Sequence, residues 1–130
     1  MVTSITVNLP VRDLARSTRL LRRLGFEVDP MFAEENDMEL IRLGSNIYVM
    51  LNSESRFESI SRKELADTSR QAEAILQFRV DSREQVDEIV DTAFSEGCTA
   101  IHEPNESGPI YGRSFQDLDG HNWDFFFFQS

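Results

Sequence analysis

One carboxylate stands among aromatic side chains near the end of the chain. Asp124 follows Trp123 and opens onto the run Phe125–Phe128. A carboxylate in such surroundings acts as a general base or as the counter-charge of a cationic ligand. The structural alternative is an ion pair or hydrogen bond with Arg113 or Arg79. These readings stay equally open, and Asp124 is the best candidate for a catalytic residue.

The other reactive side chains lie in settings that favour structural roles. Cys98, the single cysteine, lies in the apolar stretch Gly97–Ile101, and we expect it to be buried there. His121 belongs to a turn, where a hydrogen-bonding role is expected. His102 stands beside Glu103 without the spacing of a metal site. The sequence has no Gly-rich phosphate loop, Gly-x-Ser-x-Gly elbow, paired-Cys motif or HExxH helix.

Composition and charge narrow the class of protein. The chain has 130 residues, of which 40% are hydrophobic and 28% charged, as expected for one globular domain. Its net charge of -10 repels phosphate backbones, so we expect no nucleic acid partner. No apolar stretch approaches the roughly 20 residues that cross a bilayer. Because Met1–Asn8 also lacks the basic start of a signal peptide, we expect a cytoplasmic protein without a membrane partner.

The elements that position these residues occur in the same order twice. Ser4–Leu9 reads as a β-branched strand, and Asp13 then caps a helix that Gly25 ends. Three more strands are predicted, the last two as a hairpin. These strands cover residues 26–32, 38–43 and 47–51.

The second half follows a polar segment, residues 53–73. We predict a linker there with a helical turn or two, long enough to cover a pocket, with Phe57 as an apolar anchor. Ser82 and Gln85 match a capping box, and the helix that follows stops at Gly97. The predicted strands of this half are Ile75–Val80, Cys98–Ile101, Tyr111–Phe115 and Trp123–Phe128.

We therefore predict a single α+β domain over residues 1–130, built from modules 1–52 and 74–130. Each module alone would leave a sheet face uncovered, so the modules should pair within the chain or across a dimer.

Three motifs spread over nearly the whole chain carry a family resemblance. They are Asn8–Ser17, Leu24–Phe26 and Arg113–Trp123. With them the chain resembles the vicinal oxygen chelate superfamily, which includes glyoxalase I, extradiol dioxygenases and bleomycin resistance proteins. The resemblance implies two βαβββ modules that pair into a curved mixed sheet with helices on its outer face, in a homodimer. Leu20 and Leu21 replace the family's aromatic pair, and Leu118 replaces the proline of its Asp-Pro-Asp-Gly turn.

The resemblance also implies four positions for metal ligands, mostly His and Glu in relatives. Carried over by spacing, these positions are Thr6, Met50, Ile75 and Asp124. Only the carboxylate among them is a competent ligand for a hard cation, whereas zinc or iron sites need about three protein ligands. We therefore expect no metal and no other cofactor.

Alternation along the strands predicts which side chains turn away from the helices. We expect a mainly apolar and aromatic lining there, formed by Thr6, Asn8, Tyr48, Met50, Ile75, Gln77, Asp124, Phe126 and Phe128. Such a lining suits an organic ligand, and the alternative is a filled interior. Phe57, Tyr111 and Arg113 complete the predicted ligand-binding set.

Three functions remain open. The first is a metal-free protein that binds a small organic ligand, with a cationic ligand as one option, as bleomycin-type binders do. The second is a lyase, isomerase or dioxygenase that uses a divalent metal, or Asp124 as base with Tyr111, Arg113 or Gln77 stabilising the developing charge. The third is a protein-interaction role for a dimer surface or for residues 52–71.

Overall fold

Seven strands and three α-helices form in residues 1–129, the part of the chain that the computed structural model describes. Ser130, the last residue of the predicted second module, lies outside it. The strands are β1 (Ile5–Val11), β2 (Glu27–Asp29), β3 (Met38–Gly44), β4 (Ile47–Ser53), β5 (Ile75–Arg79), β6 (Ile110–Gln116) and β7 (Asn122–Phe128). The helices are α1 (Leu14–Arg23), α2 (Glu54–Ser61) and α3 (Arg83–Ser95). The predicted α+β class is confirmed.

The first compact unit, residues 1–66, is a four-stranded mixed sheet in the order β1-β4-β3-β2. β1 runs parallel to β4, and the other neighbours are antiparallel. As predicted, Asp13 caps α1 and its carboxylate accepts a hydrogen bond from the Arg16 amide at 3.1 Å. Leu20 and Leu21 of α1 are buried, as are Ile41 and Val49 of the sheet, so the core of this unit lies between them.

The second compact unit begins at Asp67 and contains a three-stranded sheet in the order β5-β7-β6. Its core is aromatic, since Phe115, Trp123 and Phe125 are at most 1% exposed and stack with nearly parallel rings. α3 adds the buried Val86 and Val90. The boundary between the units falls inside the predicted linker, whose helical turns are α2.

One predicted strand is shorter than expected and another does not form. The strand at residues 26–32 stops at Asp29, because Pro30 has no amide hydrogen and the Asp29 carboxylate accepts a hydrogen bond from the Met31 amide instead, which starts a 3₁₀ turn. The strand at Cys98–Ile101 is reduced to one bridge between Thr99 and Gln116. The second unit therefore has one strand fewer than the predicted βαβββ module.

Ser82 caps α3 as predicted, with its hydroxyl accepting a hydrogen bond from the Gln85 amide at 3.1 Å. The reciprocal bond of the predicted capping box differs, however, because the Gln85 side chain accepts from the Asp81 amide rather than from that of Ser82.

Candidate functional site

The two faces of the second sheet are distinguished by strand register. Residues paired across neighbouring strands point to the same side. Gln77 and Ser114 both pair with Asp124, whereas Arg113 pairs with Phe125. Gln77, Ser114 and Asp124 therefore point to one side of the sheet, together with the residues at alternate positions along the same strands. We call this side the Asp124 face. Its members are Ile75, Gln77, Arg79, Ile110, Gly112, Ser114, Gln116, Asn122, Asp124, Phe126 and Phe128.

Asp124 is held on this face by one side chain. Gln77 donates a hydrogen bond from Nε2 to Asp124 Oδ2 at 2.7 Å. The other carboxylate oxygen lies above Gly112, where a Cβ atom would stand 3.6 Å from Oδ1. Among the described residues no arginine, lysine or histidine forms an ion pair with Asp124. The carboxylate is half-buried and its charge has no protein counter-charge in contact.

Both arginines that the sequence offered as partners of Asp124 are engaged elsewhere. Arg113 lies on the opposite face, where its two terminal nitrogens contact Asp87 and Asp91 of α3, each at 2.9 Å. Arg79 lies on the Asp124 face, but its guanidinium stacks over Phe128 at 4.6 Å from the ring centroid. Of the two readings that the sequence left open for Asp124, an ion pair with Arg113 or Arg79 does not form among the described residues.

Tyr111 belongs with Arg113 on the face that α3 covers, and its hydroxyl donates a hydrogen bond to Asp87 Oδ1. Arg83 packs over the same ring at 3.9 Å. Burial raises the pKa of Tyr111, and the hydrogen bond to Asp87 raises it further. The expectation that Tyr111 and Arg113 share a pocket with Asp124 is corrected, because strand register turns them to the other side of the sheet.

Several polar residues on or near the Asp124 face were not predicted from the sequence, and two of them lie close together. Ser114, buried within β6, lies 3.3 Å from His102 Nε2 through its hydroxyl. The Nδ1 atom of that imidazole lies 2.8 Å from the Glu103 carbonyl oxygen, which favours an acceptor at Nε2. Alternation along β6 could have placed Ser114 beside Asp124, but no local signal tied His102 to it.

Phe126 and Phe128 lie on the Asp124 face, where strand alternation predicted them. Phe126 follows Asp124 by two residues and meets Phe128 edge to face, with 5.4 Å between ring centroids. Phe128 and Ile75 are exposed, the latter by 67%. This arrangement provides flat apolar surface beside one carboxylate.

The remaining predicted ligand residues lie in the first unit. Register places Thr6 beside Tyr48 and Asn8 beside Met50, all on the face of the sheet opposite the buried Val49. Thr6 and Asn8 are exposed, and Tyr48 and Met50 are half-buried. Phe57, in α2, is also half-buried.

The metal positions implied by the resemblance do not fit a metal. Thr6 offers a neutral hydroxyl, Met50 a soft thioether, and Ile75 no donor at all. Nor does any group of three His, Cys, Asp or Glu side chains come together elsewhere in residues 1–129.

Two titratable groups near β6 and β7, Cys98 and Asp117, have surroundings that favour a structural role. Burial and the nearby charges of Asp117 and Glu96 raise the pKa of Cys98 to about 12, so the thiol is neutral at physiological pH. Burial also raises the pKa of Asp117, although the charge of His121 and bonds from Trp123 Nε1 and two backbone amides oppose this. The bonds to Asp117 close the turn before β7.

Comparison with known proteins places the sequence in a family. The profile of the "Glyoxalase/Bleomycin resistance protein/Dioxygenase superfamily" matches residues 4–125. No curated protein matches the sequence significantly. None of the described helices has the length and hydropathy that crossing a membrane requires.

Solved structures share the whole fold. The hypothetical protein SA1046 from S. aureus is 30% identical with a TM-score of 0.82, over 98% of this chain and 95% of that one. A glyoxalase/bleomycin resistance protein/dioxygenase family enzyme from Burkholderia phytofirmans PsJN is 20% identical, with a TM-score of 0.78 over 95% and 96% of the two chains. The fosfomycin resistance protein FosX from Listeria monocytogenes is 17% identical, with a TM-score of 0.66 over 98% and 94%. At these lower identities the likeness is one of fold.

Proposed function

We propose that this chain, which belongs to the glyoxalase/bleomycin resistance protein/dioxygenase superfamily, binds a small organic ligand with a cationic group on the Asp124 face. The observation that carries the proposal is the half-buried carboxylate of Asp124, which accepts one hydrogen bond from Gln77 and contacts no basic group of the described chain. A ligand cation would supply the missing counter-charge.

The surroundings of Asp124 support an organic ligand rather than a metal ion. Phe126 and Phe128 offer ring faces and edges for an apolar or aromatic body, and Ser114 adds a hydroxyl on the neighbouring strand. The metal-dependent lyase, isomerase and dioxygenase reactions of the superfamily are not proposed, because only one of the four implied ligand positions carries a competent donor.

The electrostatics of the whole chain favour the same ligand. A net charge of -10 attracts cations and raises their local concentration. Arg79, on the same face, opposes this attraction, since it is exposed and near Asp124 in the sheet. Removing the charge of Asp124 should therefore weaken the binding of a cation, and removing the charge of Arg79 should strengthen it.

The test is a thermal-shift titration with 2-phenylethylamine, a cationic aromatic, and 2-phenylethanol, its neutral counterpart. Saturating amine should raise the melting temperature, since a ligand at a hundred times its Kd stabilises by about 2.7 kcal/mol. Asp124→Asn should weaken amine binding about tenfold and leave the weak effect of the alcohol unchanged. Arg79→Gln should strengthen amine binding.

Asp81→Asn is the matched control, because Asp81 is exposed and its side chain makes no hydrogen bond or ion pair with residues 1–129. It should bind the amine as the wild type does. Equal shifts with amine and alcohol, or amine binding that survives Asp124→Asn, would contradict the proposal.

A further inference from the structure

Asn52 is a fully buried polar side chain in the first unit, with 0% exposure. Its Nδ2 atom donates to Asn8 Oδ1 at 3.2 Å and to the Met50 carbonyl at 3.1 Å. Its Oδ1 atom accepts from Arg56 Nε at 3.0 Å. Exchanging the two ends of the amide would break all three bonds, so the network fixes one orientation.

The network leaves specific donors unused. Arg56 donates to Asn52 only through Nε, and both terminal nitrogens of its guanidinium lack a partner among residues 1–129. Asn8 accepts through Oδ1, so its amide hydrogens are likewise not taken up by the described chain. Arg113 shows the contrast, because both of its terminal nitrogens contact carboxylates.

The donors of Arg56 and Asn8 that the described chain does not use lie on one side of the first sheet. Asn8 pairs with Met50 in register, and the side chain of Asn52 lies two residues further on the same face of β4. Arg56 reaches this face from the first turns of α2, whose start is fixed by the Ser53 cap. Because both donors bind the same buried amide, they are held close together.

We propose that Arg56 and Asn8 form a binding site for an oxyanion, the carboxylate or phosphonate of an organic ligand. The guanidinium end presents two parallel N–H groups, the geometry that pairs with such anions in bidentate fashion. Asn8 adds a neutral donor, and the half-buried Tyr48, Met50 and Phe57 supply apolar surface in the same unit. The site does not rest on the proposed function, since Asp124 is not a member of it.

Asn52 acts in this site as a positioning residue. A neutral buried amide holds the guanidinium in place without neutralising its charge, whereas a carboxylate there would. Because the Asn52 bonds also join α2 to the sheet, the experiment below measures anion binding directly.

The test is an NMR titration of ¹⁵N-labelled protein with benzoate, phenylphosphonate and the neutral benzyl alcohol. Benzoate or phenylphosphonate should shift the amide signals of Asn8, Asn52 and Arg56, and the tighter of the two identifies the head group that the site prefers. Arg56→Gln should weaken the tighter anion about tenfold, and Arg56→Lys should recover only part of that loss.

Two further variants keep the result interpretable. Asn8→Asp retains the acceptor for Asn52 but replaces the donor by a charged oxygen, so it should abolish anion binding in a folded protein. Arg62→Gln, at the exposed end of the same helix, is the matched control and should bind as the wild type does.

Asp124→Asn separates this site from the proposed function, because it should leave benzoate binding unchanged. Anion binding that survives both Arg56→Gln and Asn8→Asp would overturn the site, as would equal shifts with benzoate and benzyl alcohol.

Discussion

The carboxylates of Asp87, Asp117 and Asp124 differ in what surrounds them. Asp87 accepts bonds from Tyr111 and Arg113, and Asp117 accepts them from Trp123 and backbone amides in a buried turn. Asp124 has one neutral donor. Asp87 and Asp117 each accept two or more hydrogen bonds from the protein, and Arg113 is a counter-charge for Asp87, whereas Asp124 accepts only the Gln77 bond among the described residues.

At the residue scale, the sequence predicted the positions of some of these side chains and not of others. Alternation along β7 placed Asp124 and Phe126 on one face, because side-chain direction in a strand is a local property. Arg113 was assigned to the same ligand-binding set, but its pairing with Phe125 turns it to the opposite face. The Arg56–Asn52–Asn8 network was not predicted, since it depends on where α2 packs.

The Asp87 network predicts a pH-dependent contribution to stability. Burial raises the pKa of Asp87, but the hydrogen bonds from Tyr111 and Arg113 lower it more, so its pKa lies below 3.8 in the folded protein. The unfolded chain therefore takes up the proton first. The stabilisation is fully present above about pH 4, near the unfolded pKa, and is lost as the pH falls through the folded pKa.

Asp87→Asn should accordingly lower the free energy of unfolding by roughly 1 kcal/mol at pH 7, with a smaller difference at pH 3. Urea denaturation at both pH values measures this. Asp81→Asn should stay within about 0.5 kcal/mol of the wild type. A loss for Asp87→Asn that is as large at pH 3 as at pH 7 would refute the assignment.

At the scale of elements, helix starts and ends were predicted because they depend on neighbouring residues. Asp13 and Ser82 cap α1 and α3, and Gly25 and Gly97 adopt the positive φ that follows each helix. The strand at residues 98–101 failed because forming it requires partners on β6, and only Thr99 finds one. Apolar composition alone does not supply those partners.

Gly120 is the element-scale position most sensitive to substitution. Its φ is +87°, and a Cβ atom there would lie 2.5 Å from the Thr68 carbonyl oxygen. Gly120→Ala should therefore lower the free energy of unfolding by about 2–4 kcal/mol, through both strain and a backbone clash.

Gly108→Ala is the matched control, because Gly108 also has a positive φ, of +60°, but open space around its Cβ position. It should cost only the conformational strain, about 1 kcal/mol. Equal losses in the two variants, measured by urea denaturation, would show that the contact with Thr68 is not the cause.

At the scale of the whole molecule, the edges of the two sheets bear on association. β1 and β5 are edge strands of their own sheets, and they expose Ile5 by 53% and Ile75 by 67%. Exposed apolar edges favour pairing with another chain. Together with the family resemblance, this supports the proposal of a homodimer.

Light scattering should then give a mass of twice 15.0 kDa at micromolar concentration. Ile5→Lys or Ile75→Lys should reduce the dimer fraction, because a charge at an edge opposes pairing. A mass of 15.0 kDa at every concentration would exclude the homodimer.

NMR mapping shows directly whether a cationic organic ligand binds the Asp124 face. Titration of ¹⁵N-labelled protein with 2-phenylethylamine should shift the amide signals of Gln77, Ser114, Asp124 and Phe126 most, and those of Tyr111 and Arg113 little. If the largest shifts lie on the α3 side of the sheet, or if no amide shifts at saturating amine, the ligand does not bind the Asp124 face.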